Sequence, residues 1–345
     1  MRLVLVLSLG LLITAIYSAC TIDQQAFEAL RHFPLHYALL LLAMALLPWF
    51  TSTIRLSVWM TFLKHPVRFN ELFRIILAAD AVAAVTPTAV GGGYFKFGWL
   101  IKRGVPAGPA ASLMILGTLE EYAFFLISIP AVFWFSPAAR GVFIEIWNKL
   151  PAETWRGEEV FSYIVLPLIG MALAGQLMWR FMNEAHKTRL RNFWRGVRQQ
   201  AKLGFDTLRM VAAKGGWRFA ITVGLAGVHW VCRCSLLVIL LEGLRQQLDA
   251  MSVIISQWLL FMLMNFMPSP GAVGGAEFGF VLFYRALLPE NFVGVLSTAW
   301  RMLTFTLPVG LAALVFMMQV RRDKKGSTPK CQLAFIYSDA ATQHD

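Results

Sequence analysis

The residues best suited to chemistry are ionisable side chains set in apolar sequence: Asp80, Lys96, the adjacent Glu120 and Glu121, His229, Arg233, Glu277 and Arg301. Two neighbouring carboxyls can serve as general acid and base, and a guanidinium fork can grip phosphate at two points. Other chemistries find no footing. Gly91-Gly92-Gly93 lacks the Gly-Lys-Ser/Thr that would follow in a phosphate-binding loop, and no hydrolase, kinase or dinucleotide motif is present. No carboxylate or histidine cluster has metal-ligand spacing, and Cys232 and Cys234, two apart on a helix, face different ways. The expectation is therefore no cofactor and no metal.

The sequence around those charges is built for lipid. The chain is 58% hydrophobic and 14% charged over 345 residues, where soluble domains average nearer a quarter charged. Its net charge of +12 comes from bases clustered between apolar spans, which is positive-inside patterning rather than a nucleic-acid footprint. A charge at the bilayer centre costs from about 3 to more than 10 kcal/mol, so these ionisable groups need partners. Arg301 is expected to pair with Glu120 or Glu121, and Lys96 and Glu277 to line a shared cavity. The alternative is that such pairs only lock helices together. His229 reads either as a satisfied core histidine or as a proton relay.

A duplication organises the chain. Ala89-Val90-Gly91-Gly92-Gly93-Tyr94-Phe95 aligns with Ala272-Val273-Gly274-Gly275-Ala276-Glu277-Phe278, 183 positions later, and Pro87 aligns with Pro270. Apolar spans are expected at 3–22, from Leu35 to Thr53 or beyond, and over 107–135, 160–179, 219–241 and 292–319, each long enough to cross about 30 Å of hydrocarbon. Two further apolar regions, 72–103 and 251–288, are each expected to start and finish on one side of the membrane. Pro87 with Gly91 and Gly92 in the first, and Pro268, Pro270, Gly271 and Gly274 in the second, supply the break; a short full span is the alternative for the first. The reading is an all-α integral membrane protein of about six transmembrane helices plus two re-entrant helical hairpins in an inverted repeat, with a site at mid-membrane.

Five segments follow: residues 1–34 with the first helix and an external loop, repeat 1 at 35–135, a linking helix and basic loop at 136–217, repeat 2 at 218–320, and a cytoplasmic tail at 321–345. Both termini are expected in the cytoplasm. Cys20, after an apolar run, weakly matches a lipoprotein cleavage site, against an uncleaved first span. The loop from Arg180 to Lys214 carries nine Lys or Arg and two acids. Leu190, Phe193, Trp194 and Val197 are spaced for an amphipathic helix on the inner leaflet, with a solvated connector as the other reading.

Taken together, these motifs resemble the lysylphosphatidylglycerol synthase transmembrane region family of prokaryotic membrane proteins, over residues 35–320. The first signature falls on Pro87, Gly91, Gly92, Lys96, Lys102-Arg103-Gly104 and Glu120 or Glu121. The second falls on Pro268, Pro270, Gly271, Gly274, Glu277 and Arg301, with Ala272 replacing a glycine. Many relatives carry Glu near Gly93 or Tyr94 and Arg at the position of Glu121. The resemblance implies a flippase-like protein of the prokaryotic inner membrane that moves or binds lipids with anionic or phosphate-containing head groups, with Lys96, Glu120, Glu121, Glu277 and Arg301 as substrate-binding residues. The best-known members carry an additional soluble transferase domain; this chain continues only about 25 residues past its last expected span, so synthase activity is not expected. Membrane lipids are the expected partners, with a lipid-modifying or glycosyl-transferring enzyme or a second copy in a homodimer as further ones, and no nucleic acid.

Overall fold

In a computed structural model the described residues are 32–86, 90–135, 141, 184–246, 248–265, 267, 269, 271–285, 288 and 290–315. The expected spans at 3–22 and 160–179, Cys20, Pro87, Pro268, Pro270 and the tail lie outside them. Every regular element among the described residues is helical: α1 (Leu35–Phe62), α2 (Phe69–Val85), α3 (Val90–Lys102), α4 (Ala107–Phe135), α5 (Glu184–Lys214), α6 (Gly216–Gly243), α7 (Ala250–Asn265), α8 (Gly275–Tyr284) and α9 (Glu290–Arg301). A π-helical turn, Met302–Thr306, extends α9, and the combined apolar helix reaches Val315.

Among the described residues four helices are long and apolar enough to cross a membrane: Leu35–Phe62, Ala107–Ala131, Gly216–Gly243 and Phe292–Val315. They correspond to four of the expected spans. Length settles their type, since 28 residues rise about 42 Å. The first continues beyond Thr53 to Phe62, with Arg55 buried inside the helix.

Between these helices sit two pairs of shorter ones, each folded back on itself. In the first pair, Arg103 just after α3 pairs with Glu71 at the start of α2, so the open ends meet. At the closed end the Thr86 hydroxyl donates to the carbonyls of Val82 and Ala83 and accepts the Gly91 N–H at 3.1 Å. The glycines do not break this hairpin as expected: Gly91 and Gly92 belong to the first turn of α3. Gly92 instead permits close packing, since a Cβ there would lie 2.7 Å from the Ala79 carbonyl oxygen. In the second pair, Tyr284 at the end of α8 donates to the Val253 carbonyl near the start of α7 and accepts from Gln257. Its turn does use glycine freedom, with φ of +61° at Gly271 and +83° at Gly274.

The spine is α1. Its first half joins a buried cluster with α6, α7, α8 and α9 through Leu41 and Ala45, beside Leu237, Leu260, Phe280 and Trp300. Its second half joins another with α2, α3, α4 and α5 through Trp59 and Met60, beside Leu72, Leu100, Leu113 and Val211. The basic helix α5 is neither a free connector nor merely laid on a surface. Its C-terminal half is seated on α4: Ser112 donates to the Gly204 carbonyl at 2.8 Å, the Gln200 side chain accepts the Gly108 N–H, and a Cβ at Gly108 would sit 2.1 Å from the Gln200 carbonyl oxygen.

Candidate functional site

Every third or fourth residue along the inner face of α1 is polar or an indole: Trp49, Ser52, Arg55 and Trp59. That spacing places them in one stripe, and each meets a polar group from another helix. The Trp49 indole donates to Asp80 on α2 at 2.8 Å. Ser52 contacts the ring Nδ1 of His229 on α6 at 3.4 Å. Arg55 bonds Glu120 at 2.7 Å, Glu121 at 3.3 Å and the Gly117 carbonyl at 2.9 Å, all on α4. Trp59 adds a hydrogen bond to the second Glu120 oxygen.

Two cavities flank this stripe and share Ser52. The larger, about 330 Å³, is walled by α1, α2, α6, α7, by Ser269, Gly271 and Ala272, and by the π-helical segment, and so draws on elements before and after α5. Its charged groups are Asp80 and Arg233, with His229 beside them. Much of the Asp80 surface is open, but it opens onto this cavity, and protein surrounds the carboxylate. Arg233 lies 5.1 Å from the Phe261 ring centroid and 6.0 Å from that of Trp230, a cation–π seat. Among the described residues no carboxylate lies within ion-pair distance of it. Ala272, on the cavity wall, has φ of +54°, a strained value for a residue with a side chain.

The smaller cavity, about 160 Å³, holds Lys96, Arg55, Glu120 and Glu121. Three of the five expected binding residues thus share one chamber, but it is not the large one. The other two form a separate centre. Glu277 accepts the Gly274 N–H at 2.7 Å, capping α8, and its other oxygen lies 3.3 Å from Nε of Arg301. Arg301 donates to the Gly271 carbonyl and lies 4.3 Å from the Phe305 ring centroid.

This arrangement corrects the expected pairing. Arg301 bridges to Glu277, and Glu120 and Glu121 bridge to Arg55, so the Arg301–Glu120/Glu121 contact across the repeats is not formed. The reason lies in the fold: α1 runs alongside α4 and brings its own arginine to the glutamates. Glu277 lines neither cavity, because capping α8 turns its carboxylate toward the 271–274 turn.

The sequence matches the profile of the lysylphosphatidylglycerol synthase TM region over residues 3–312. The chain belongs to that family. A relative at 21% identity is a UPF0104 membrane protein of Archaeoglobus fulgidus, aligned over 267 residues that make up 74% of this chain and 78% of the relative. Within this member of the lysylphosphatidylglycerol synthase TM region family, Lys96, Glu120 and Glu121 of the first signature line the smaller chamber, and Gly271, Gly274, Glu277 and Arg301 of the second meet at the braced 271–274 turn. The larger cavity is built from Trp49, Ser52, Asp80, His229 and Arg233. Of these, Trp49 and Ser52 escaped the sequence reading, although their spacing with Arg55 and Trp59 on an apolar span was the available signal.

Proposed function

We propose that the protein is a flippase-like membrane protein whose larger cavity takes the phosphate-containing head group of a lipid while the acyl or prenyl tails stay in the bilayer. The observation that carries this reading is Arg233: a guanidinium on the cavity wall, backed by Phe261 and Trp230, with its fork left for an anion. A cavity of about 330 Å³ lies at the small end of ligand pockets, enough for a head group and too little for a whole lipid.

In this reading the two helix hairpins re-enter from opposite faces of the prokaryotic inner membrane, both termini are cytoplasmic, and no covalent step is required. The Arg55–Glu120–Glu121 cluster with Lys96 closes one side of the cavity, and the Arg301–Glu277 pair holds the 271–274 turn on its wall. Rocking one repeat against the other would expose the head group alternately to the two leaflets. A test is leaflet exchange of a fluorescent anionic phospholipid in proteoliposomes. A charge-assisted hydrogen bond is worth about 1.5–3 kcal/mol, so Arg233→Gln should slow exchange by about 10- to 100-fold. Exchange at the wild-type rate by a normally folded Arg233→Gln protein would sink the assignment.

A further inference from the structure

Away from the central cavity, a groove of about 360 Å³ runs between the last turns of α1 and the first turns of α6. Its walls are Ile54 and Val58 on one side and Ile221 on the other, with the exposed rings of Trp217 and Phe69 at its rim. Phe69 also borders a neighbouring basin of about 470 Å³ that contains Arg68, Arg74 and Glu71. Glu71 is already paired with Arg103, whereas Arg68 and Arg74 form no ion pair among the described residues. Arg218, on the groove itself, has its guanidinium 5.1 Å from the Phe62 ring centroid, which leaves its N–H fork directed by no carboxylate.

An apolar channel between two apolar helices long enough to cross a membrane therefore opens beside three arginines that form no ion pair among the described residues. We infer that this groove and basin form a second lipid site, holding one anionic glycerophospholipid with a tail along Ile54, Val58 and Ile221 and its phosphate among Arg68, Arg74 and Arg218. Charge complementarity selects an anionic head group, and the apolar groove, too long for a phosphate ion alone, selects a lipid over free phosphate. Such a lipid would tie α1 to α6 and α2, and it needs none of the residues that line the central cavity.

Native mass spectrometry of the full-length protein released from membranes of equal phosphatidylglycerol and phosphatidylcholine tests this. The wild type should keep one phosphatidylglycerol and not phosphatidylcholine. Each interfacial arginine contributes about a fivefold preference for anionic lipid, so the Arg68→Gln, Arg74→Gln, Arg218→Gln triple variant should lose retention by roughly 100-fold. Ile221→Trp fills the groove without altering charge and should also expel the lipid; it carries the test if the triple variant does not fold. Equal retention of phosphatidylcholine by the wild type would overturn the site. So would full retention of phosphatidylglycerol in Ile221→Trp, or displacement by tail-free glycerophosphoglycerol as effective as by the intact lipid.

Discussion

Arg55 is the side chain whose loss should be felt most. Its guanidinium spends all three nitrogens on α4, meeting Glu120, Glu121 and the Gly117 carbonyl, and the Glu120 side chain is only 1% exposed. Arg55→Leu would leave the Glu120 carboxylate buried with the Trp59 indole as its one remaining donor. Breaking one side of a buried ion pair costs about 3–5 kcal/mol. Glu120→Gln should cost less, about 1–3 kcal/mol, because Arg55 keeps Glu121 and the Gly117 carbonyl. Glu121→Gln should cost about 1 kcal/mol or less, since its side chain is 39% exposed and exposed pairs contribute little. The double variant Arg55→Leu, Glu120→Leu removes both charges and should be less damaging than Arg55→Leu alone. Reversible unfolding in mixed micelles, followed by tryptophan fluorescence, gives all four values. The reasoning fails if Arg55→Leu falls within about 1 kcal/mol of wild type, or if the double variant is as damaging as Arg55→Leu alone.

Gly92→Val should destabilise the protein by about 1–3 kcal/mol, because its Cβ would meet the Ala79 oxygen at 2.7 Å and the Ala83 Cβ at 2.9 Å; Gly93→Ala, with nothing within 4 Å, should be neutral or stabilising by up to about 1 kcal/mol. The same unfolding assay compares the two. Gly108→Ala should loosen α5 from α4, since the added carbon would sit 2.1 Å from the Gln200 oxygen, and limited proteolysis should then cut within α5 at lower protease concentration than in the wild type. Arg301→Gln should cost about 3–5 kcal/mol by leaving Glu277 buried without its cation, and Arg301→Lys should recover only part of that, because one ammonium cannot reach both Glu277 and the Gly271 carbonyl as the fork does; thermal midpoints in detergent rank the three proteins.

The four long helices were legible because apolar length is a local property that lipid thickness calibrates. The hairpins were half legible. Glycine marked the turn of the second pair, at Gly271 and Gly274, but the role of Gly92 in the first depends on the Ala79 backbone of another helix, which no window of sequence contains. The pairing of charges was least legible: sign complementarity allowed Arg301 to reach either glutamate, and only the course of α1 past α4 decides for Arg55. A positive residue near an apolar run usually marks its end, whereas the partners of Arg55 on α4 let the helix continue to Phe62. The docking of α5 was hidden for a related reason. Its basic composition advertises the membrane surface, while the seat on α4 rests on Gly108, Ser112 and Gly204, small residues that carry no compositional signal.

The two helix pairs are braced differently, and the difference bears on the larger cavity. Shifting by 183 positions puts Tyr94 where Glu277 stands and Thr118 where Arg301 stands, so the pair that braces the second hairpin has no counterpart in the first. There the acids sit on α4 and their cation comes from α1, outside the hairpin. The second pair is braced by Arg301 of α9, at a turn with two positive-φ glycines and a strained Ala272, next to a π-helical turn where the α9 ladder is already interrupted. Strained backbone of this kind persists only where its surroundings hold it, and here the Arg301 contact to Gly271 is what holds it. The wall of the larger cavity formed by Ser269, Gly271 and Ala272 is therefore expected to adjust more than the wall formed by Trp49 and Ser52 of α1. Spin labels or cysteine crosslinks placed across the cavity should accordingly report larger changes from the 269–272 turn than from α2, and equal displacement of the two would contradict this division.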